Sequence, residues 1–278
     1  MKILVTGGAG FVGTNLIKRL LSDGHEVHSL DNYDSGLVEN HIDGCNYISG
    51  DIESVEYWRG DKFDLCYHMA ALSRIQPSFE NPVDTFRVNV IGTQAVAEWA
   101  RHNNVKVIYA GSSSQWHDPF QSPYATYKKL GEDICKMYRK VFGTNIEIAR
   151  FYNVYGPYEI IEGKWAAVIG LWRGNIERGE TIKIHGDGEQ RRDFTYVDDI
   201  VDGLIKIGFG TETHEDAWEL GTGFNYSLNE VANMFNVLCE NVDDVKGNYR
   251  ETKRVNDDAI TRLGWQPKDV LKEYIKNL

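Results

Sequence analysis

The stretch Lys2–Gly24, KILVTGGAGFVGTNLIKRLLSDG, decides the fold. Its first residues, KILVT, are aliphatic or β-branched and read as a short strand. The turn GGAGFVG satisfies G-x-G-x-x-G at Gly8, Gly10 and Gly13, and G-x-x-G-x-x-G at Gly7, Gly10 and Gly13. A helical pattern, TNLIKRLLSDG, follows at once. Glycines there tighten the turn, admit a pyrophosphate to the backbone and let helix lie close to strand, while the helix N-terminus faces the anion. About 20 residues on, the strand-like VHSLDN ends at Asp31, where a carboxylate can take adenosine ribose hydroxyls. The same carboxylate repels a 2′-phosphate, so the spacing predicts NAD rather than NADP. Asp51 in SGDIE follows a third strand and is placed either to reach the adenine edge or to cap a helix.

Working outward, KILVTGG, EVHSLDN, NYISGD, FDLCYHMAA, VKVIYAG and NIEIARF are short apolar runs separated mostly by helix-like segments. That alternation predicts a parallel sheet with crossover helices. The segment NPVDTFRVNVIGTQAVAEWARHN puts Val83, Phe86, Val90, Thr93 and Ala97 at steps of three or four, as one face of a crossover helix, with Pro82 in its first turn. After YGPY at Tyr155–Tyr158 the rhythm changes to a helix, WAAVIGLWRGNIERG, a glycine-rich turn, HGDGEQRRDF, and further short elements. A smaller second domain is expected there. No internal repeat or low-complexity tract interrupts the chain.

Composition limits the partners. The 278 residues are 42% apolar and 26% charged, ordinary for a soluble protein and too apolar for disorder. No apolar run approaches the roughly 18–20 residues that span a bilayer, and Met1-Lys2 runs directly into a strand without the anatomy of a signal peptide. A cytoplasmic protein is expected. The net charge of −11 has the wrong sign for nucleic acid or an anionic membrane. An anionic small molecule would need a local cationic site. Cys45, Cys66, Cys135 and Cys239 lack C-x-x-C spacing and read as reduced thiols, neither zinc ligands nor a disulfide framework. His68, His117 and His185 show no ligand spacing, and no metal is expected. Trp99, Trp165, Trp172 and Trp218 sit in apolar contexts and read as core, with Trp165 and Trp172 also candidates for ligand contact.

Together with the glycine fingerprint, the later HMAA, NVIGT, PYATYK, FYNVYGP, GDGEQRRDFTYVDD and LGW resemble, in order, the extended short-chain dehydrogenase/reductase family. Within it the chain is similar to the nucleotide-sugar epimerases and dehydratases. The resemblance implies an α/β fold: a Rossmann-type doubly wound parallel sheet that binds NAD, with a smaller C-terminal α/β domain that binds a nucleoside-diphosphate sugar across the cleft. It assigns residues 1–157 and about 193–216 to the cofactor domain, and about 158–192 and 217–278 to the substrate domain. Along the cofactor it places Gly7, Gly10, Phe11, Val12, Gly13, Asp31, Asn32, Asp51, Ile52, Ala70, Ala71 and Asn89, with Tyr124 and Lys128. A homodimer through paired helices around NVIGTQAVAEWA and YATYKKLGEDICKMY is the family expectation.

Tyr124 and Lys128 fall on one helix face, because residues i and i+4 are stacked neighbours. A lysine ammonium and the positive ring of bound NAD would lower the phenol from about 10 and make Tyr124 a general base for a sugar hydroxyl. Ser112 ends the strand VKVIYAG, at the sheet edge where ligands bind, and can hold or relay the proton of the sugar oxygen. In related 4,6-dehydratases the next two positions supply an acid and a base for water loss. Here they are Ser113 and Ser114, which disfavours elimination and resembles the 4-epimerases. The expected activity is that of an isomerase inverting C4 of a UDP-sugar, such as a glucose/galactose pair or its N-acetyl derivatives, through a 4-keto intermediate. The alternatives are a 4,6-dehydratase, a 4-keto-sugar reductase, or a non-catalytic dinucleotide-binding sensor.

For the sugar nucleotide the resemblance implies Ser73, Ser112, Ser113 and Asn153, with Arg192 on the diphosphate and Arg250 as a second phosphate ligand. The chain departs from its relatives in QWHDPFQSP, the nine residues between the serines and YATYK. Shortening this wall predicts either a more open pocket or one partly refilled by Trp116.

Overall fold

The computed structural model describes residues 1–57 and 62–278. The opening strand β1 (Lys2–Thr6), helix α1 (Phe11–Ser22) and strand β2 (Glu26–Asp31) follow the boundaries expected from the glycine turn. Next come β3 (Asn46–Ser49), β4 (Leu65–His68), α2 (Ile75–Glu80), α3 (Pro82–Phe86), α4 (Thr93–Asn103), β5 (Lys106–Ser112), α5 (Pro123–Phe142) and β6 (Ile146–Phe151). The second half runs β7 (Asn153–Tyr155), α6 (Val168–Glu177), β8 (Ile182–His185), β9 (Arg191–Arg192), β10 (Phe194–Tyr196), α7 (Val197–Phe209) and β11 (Trp218–Leu220). It closes with β12 (Tyr226–Ser227), α8 (Leu228–Phe235), β13 (Cys239–Val242), α9 (Asp258–Leu263) and α10 (Leu271–Lys276).

Seven parallel strands form one sheet in the order β11-β6-β5-β4-β1-β2-β3. The chain reverses direction of travel between β1 and β4, which opens a crevice above the strand ends, the usual ligand position in such sheets. Alternation along each strand feeds two cores. Ile3 and Val5 join Ile108, Leu204 and Trp218 on one face, whereas Leu4 joins Val107, Tyr109 and Trp99 on the other. A third, smaller core around Tyr155, Ile169, Trp172, Ile184 and Leu271 holds the second half together.

Two expectations are corrected here. The domain boundary near residue 217 falls too early, because Trp218–Leu220 completes the main sheet beside β6. Trp218 is fully buried and donates to Glu147 (2.8 Å), and Ala259 of α9 and Trp265 pack into the same core, so burial draws both segments back to the cofactor half. The second correction concerns the helix over residues 82–103. Thr93 and Ala97 are buried as expected, but Val83 is 76% exposed and Phe86 38% exposed. A π turn at Arg87–Gly92 joins α3 to α4 and rotates the later face relative to the earlier one, so a single 3.6-residue stripe does not run through.

Helix α5 carries the tyrosine and lysine, and its start is sharply set. Ser122 caps it by accepting from the Ala125 N–H (3.1 Å), Pro123 occupies the first turn, and Gly143 ends it at φ +68°.

Candidate active site

A cavity of about 770 Å³ lies over the crevice, and both halves of the chain line it. At its base is the glycine turn. Gly7 has φ +70°, and a Cβ there would meet the Ala70 nitrogen at 2.7 Å; a Cβ on Gly13 would lie 2.2 Å from the Gly7 carbonyl oxygen. Gly10 differs, with only the Gly7 oxygen at 3.3 Å, so its bare face is open to the cavity. No side chain caps the first turn of α1, leaving its N–H groups for an anion.

Asp31 lines the cavity and is fixed by the Ala9 N–H on one oxygen (2.9 Å) and the Tyr33 N–H on the other (2.8 Å). Burial pushes its carboxyl above the usual range. Phe11, Val12, Asn32, Asp51, Ile52, Ala70 and Ala71 also line the cavity. Of the two roles weighed for Asp51, the carboxylate engages Asn32 (2.9 Å) and Arg87 (3.1 Å). The Asn32 amide and the Arg87 charge hold its pKa down.

At the opposite edge β5 delivers Ser112 and α5 delivers Tyr124 and Lys128. The Tyr124 hydroxyl donates to Ser112 Oγ (3.3 Å), which also accepts from the Ser114 N–H (3.2 Å), leaving the serine proton to donate. Lys128 is buried, donates to the Ala110 carbonyl (2.7 Å) and lies 4.9 Å over the Tyr109 ring. Burial lowers its pKa to about 8. The phenol of Tyr124 is itself raised by burial, opposed by the Ser112 hydrogen bond and by the charge of Arg74. In the protein alone, the cation that opposes this rise is Arg74.

Ser73, Ser113, Asn153 and Arg192 line the same cavity. Asn153 donates to the Asp193 carbonyl and to Thr252 Oγ1, each at 3.0 Å. Arg192 is tethered to the Arg191 carbonyl (2.9 Å) and Asn248 (2.5 Å) without an ion pair among the described residues, and burial lowers its pKa to about 10. A guanidinium so placed is an anion site.

Two expected contacts, Asn89 and Arg250, and one of the two alternatives for the loop, Trp116 as a filler, are not at the cavity. Asn89 is 1% exposed and spends its amide on Leu72, accepting from the N–H (2.9 Å) and donating to the C=O (3.0 Å). It shapes the loop after β4 and does not face the cofactor space. Arg250 pairs with Asp187 (2.9 Å) on the surface, because the ladder between Arg191 and residues 250–251 turns its side chain outward. Trp116 is absent from the cavity wall. Its ring lies 5.1 Å under the Arg150 guanidinium and its indole N–H donates to Glu219 (3.1 Å). His117 instead stacks on Tyr249, a wall residue, with centroids 4.0 Å apart.

Sequence patterns missed two features. Arg74, next to Ser73, lines the cavity and donates from Nε to the Trp165 carbonyl (2.8 Å). Behind Ser112, buried Arg150 binds Glu132, Asp216 and Glu219 at 2.7–3.0 Å, and Glu132 accepts from the Ser112 N–H at 3.4 Å. His68 is a packing residue, as expected, held between Thr6 (2.8 Å) and Thr93 (3.2 Å). Trp99, Trp172 and Trp218 are buried; Trp165 and Trp172 touch the cavity. All four cysteines are free thiols. Among the described residues no cluster of His, Cys, Asp or Glu could hold a metal, and no helix is long and apolar enough to cross a membrane.

A glycine turn at the sheet's switch point, facing a Ser-Tyr-Lys set across one cavity, defines a dinucleotide-dependent enzyme of the reductase type. The chain belongs to the NAD-dependent epimerase/dehydratase family, whose model matches residues 3–214. NAD is its cofactor, and the open Gly10 face, the uncapped α1 and Asp31 fit that molecule. The UDP-glucose 4-epimerase of Mycolicibacterium smegmatis is 32% identical over 303 aligned positions, covering 99% of this chain and 96% of that protein. The structure of the Thermotoga maritima UDP-glucose 4-epimerase with UDP-glucose superposes with a TM-score of 0.92 at 28% identity, covering 99% of this chain and 96% of that one. The Bacillus cereus UDP-glucuronic acid 4-epimerase, solved with UDP-glucuronic acid and NAD, gives 0.89 at 25% identity, covering 99% and 97%.

Proposed function

We propose that the protein inverts C4 of a nucleoside-diphosphate sugar, in the manner of the UDP-sugar 4-epimerases it resembles. The observation that carries this is the distribution of acids. Among the described residues the carboxylates lining the cavity are Asp31 at the end of β2, Asp34 and Asp51 on the segments after β2 and β3, and Asp84 on α3; none lies on β5 or the turn that carries the serines. Ser112, Ser113 and Tyr124 therefore face the substrate space without the acid–base pair that water elimination needs.

Bound NAD supplies the hydride acceptor and donor at the sugar carbon. Tyr124 takes the C4 hydroxyl proton at Oη, and Ser112 holds the same oxygen by its free hydrogen. Lys128, one turn along α5 from Tyr124 and charged below about pH 8, adds its charge to that of the nicotinamide ring once NAD is bound. Arg192 holds the diphosphate, so the sugar can turn while the nucleotide stays fixed. Residues about 158–192 and those after β11 that line the cavity, such as Asn248 and Tyr249, form the substrate half in this scheme.

Incubating the protein with UDP-, GDP- and dTDP-sugars, without added reductant, and following C4 configuration by NMR tests the proposal. Loss of water or stoichiometric NADH consumption would exclude it in favour of a dehydratase or reductase. Tyr124→Phe should lower kcat by at least about a hundredfold while NAD stays bound; retained turnover would remove Tyr124 from this role.

The same proposal includes a homodimer in the cytoplasm. Its support is the exposed apolar set Val83, Phe86, Ile91, Leu130 and Met137 on the α3–α4 segment and α5, together with the four free thiols. Light scattering on the eluting protein measures the assembly.

A further inference from the structure

Arg74 stands where α2 begins, at the end of the loop that leaves β4. Two carbonyls fix its guanidinium: Nε donates to Trp165 of the second half (2.8 Å), and Nη1 to Ser73 beside it (3.2 Å). A guanidinium has five N–H donors, so most of the fork still lacks a partner. It makes no ion pair among the described residues, and the surface it retains belongs to a cavity wall. The carboxylate whose charge it feels is Glu159, which accepts from the Tyr274 hydroxyl (3.0 Å) and which burial raises to about 7. That acid is a weak counter-ion at neutral pH. Ser78 on the same helix α2 accepts from the Tyr124 N–H (3.1 Å), and the Arg74 charge acts on the Tyr124 phenol, so the open fork lies toward the reacting end of the cavity.

Charge matching narrows the ligand. Of the cations lining the cavity, Arg87 is held by Asp51 and Glu53, Lys183 faces Glu240 at 3.9 Å, and Lys128 belongs to the reacting set. Arg74, Lys164 and Arg192 remain without an ion pair among the described residues. The uncapped N-terminus of α1 is placed for the NAD diphosphate and Arg192 for that of the sugar nucleotide, and Lys164 is exposed, so the open fork of Arg74 is left for an anionic group on the sugar. A planar fork fits a carboxylate in two-point contact.

We propose that Arg74 is a specificity-determining residue that binds a carboxylate on the sugar ring, making the preferred substrate a nucleoside-diphosphate uronate rather than a neutral hexose. The proposal rests on the sugar-nucleotide reading above and names the sugar class within it. Arg74 selects the acidic sugar, and Tyr124 then works on the hydroxyl next to the carbon that bears the acid.

The test is calorimetric titration of the NAD-loaded protein with UDP-glucuronate, UDP-glucose and UDP, for wild type, Arg74→Ala and Arg74→Gln. The glutamine variant keeps a donor for the Trp165 carbonyl if the alanine variant does not fold. Wild type should bind the uronate about a hundredfold more tightly than the hexose, and both variants should erase that ratio while UDP keeps its affinity. Equal affinity for the two sugars overturns the proposal, as does binding of neither. Loss of UDP affinity in the variants also overturns it, because Arg74 would then be a phosphate ligand. NMR of C4 in the same samples separates the two ideas. Uronate bound through Arg74 without inversion leaves this inference standing and removes the epimerase reading. Inversion of UDP-glucose with no uronate preference does the reverse.

Discussion

Replacing Arg150 with methionine should destabilise the protein through its anions. Arg150 is 0% exposed, and all three guanidinium nitrogens donate to carboxylates, Nη2 to Glu132 and Nη1 to Asp216 at 2.7 Å each. Glu132 and Glu219 are themselves 1% and 0% exposed, so methionine leaves two buried carboxylates without their cation. Lys136 reaches only Asp216, at 2.5 Å. Removing one partner of a buried pair costs about 3–5 kcal/mol, against a fraction of that for the volume change. In a chain of this size that lowers Tm by about 10 °C. The sign of the pH dependence is fixed. Without Arg150 the carboxyls take up protons more readily, and a neutral carboxyl is cheap to bury, so the gap between variant and wild type narrows from pH 7 to pH 5. Urea unfolding followed by near-ultraviolet circular dichroism at the two pH values measures this. A gap below about 1 kcal/mol at pH 7, or one that widens toward pH 5, would refute the reasoning. Glu132 also accepts from the Ser112 N–H, so kcat should fall further than KM rises.

The glycines predict a contrast. Gly13→Ala drives a methyl to within 2.2 Å of the Gly7 carbonyl and should abolish NAD binding with a marked loss of stability, whereas Gly10→Ala meets only the Gly7 oxygen at 3.3 Å and should fold with little loss yet bind NAD at least about tenfold more weakly. Fluorescence titration and thermal melting distinguish the two, and equal behaviour would contradict the geometry. Lys128 gives a pH signature. Its pKa is depressed from 10.5 to about 8, so the unfolded chain binds the extra proton between those values and wild type gains stability as pH rises through that window, by about 3 kcal/mol relative to Lys128→Met. A flat difference from pH 8 to 10.5 would show that burial does not hold the amine down.

Much of the cofactor half was legible because its signals are local. The glycine turn, Asp31 and the strand alternation lie within short windows of chain, and period two alone separates Leu4 from Ile3 and Val5. The i, i+4 rule placed Tyr124 and Lys128 together for the same reason. What the pattern hid depends on distant partners. Arg150 meets Glu132, Asp216 and Glu219 across 18, 66 and 69 residues, and nothing beside it in NIEIARF announces them. Strand β11 has three residues, too few for a period. Trp116 was readable as a bulky loop residue, but its direction followed from Glu219 and Arg150, which turn it away from the cavity. Arg250 failed because a backbone ladder, invisible in composition, decides which way its side chain points.

The sheet's seventh strand has a consequence for synthesis. Strand β6 ends at Phe151 and β11 ends at Leu220, so 69 further residues must be made before the sheet is finished. At about 5–20 residues per second that interval is roughly 3–14 s. Through it the nascent chain carries a bare strand edge, with Arg150 on β6 still lacking Asp216 and Glu219. Glu147 and Arg150 interrupt the apolar residues of that strand, and charges on a bare edge disfavour pairing with a neighbouring chain. The charge network behind Ser112 is therefore complete only once the last strand has been made.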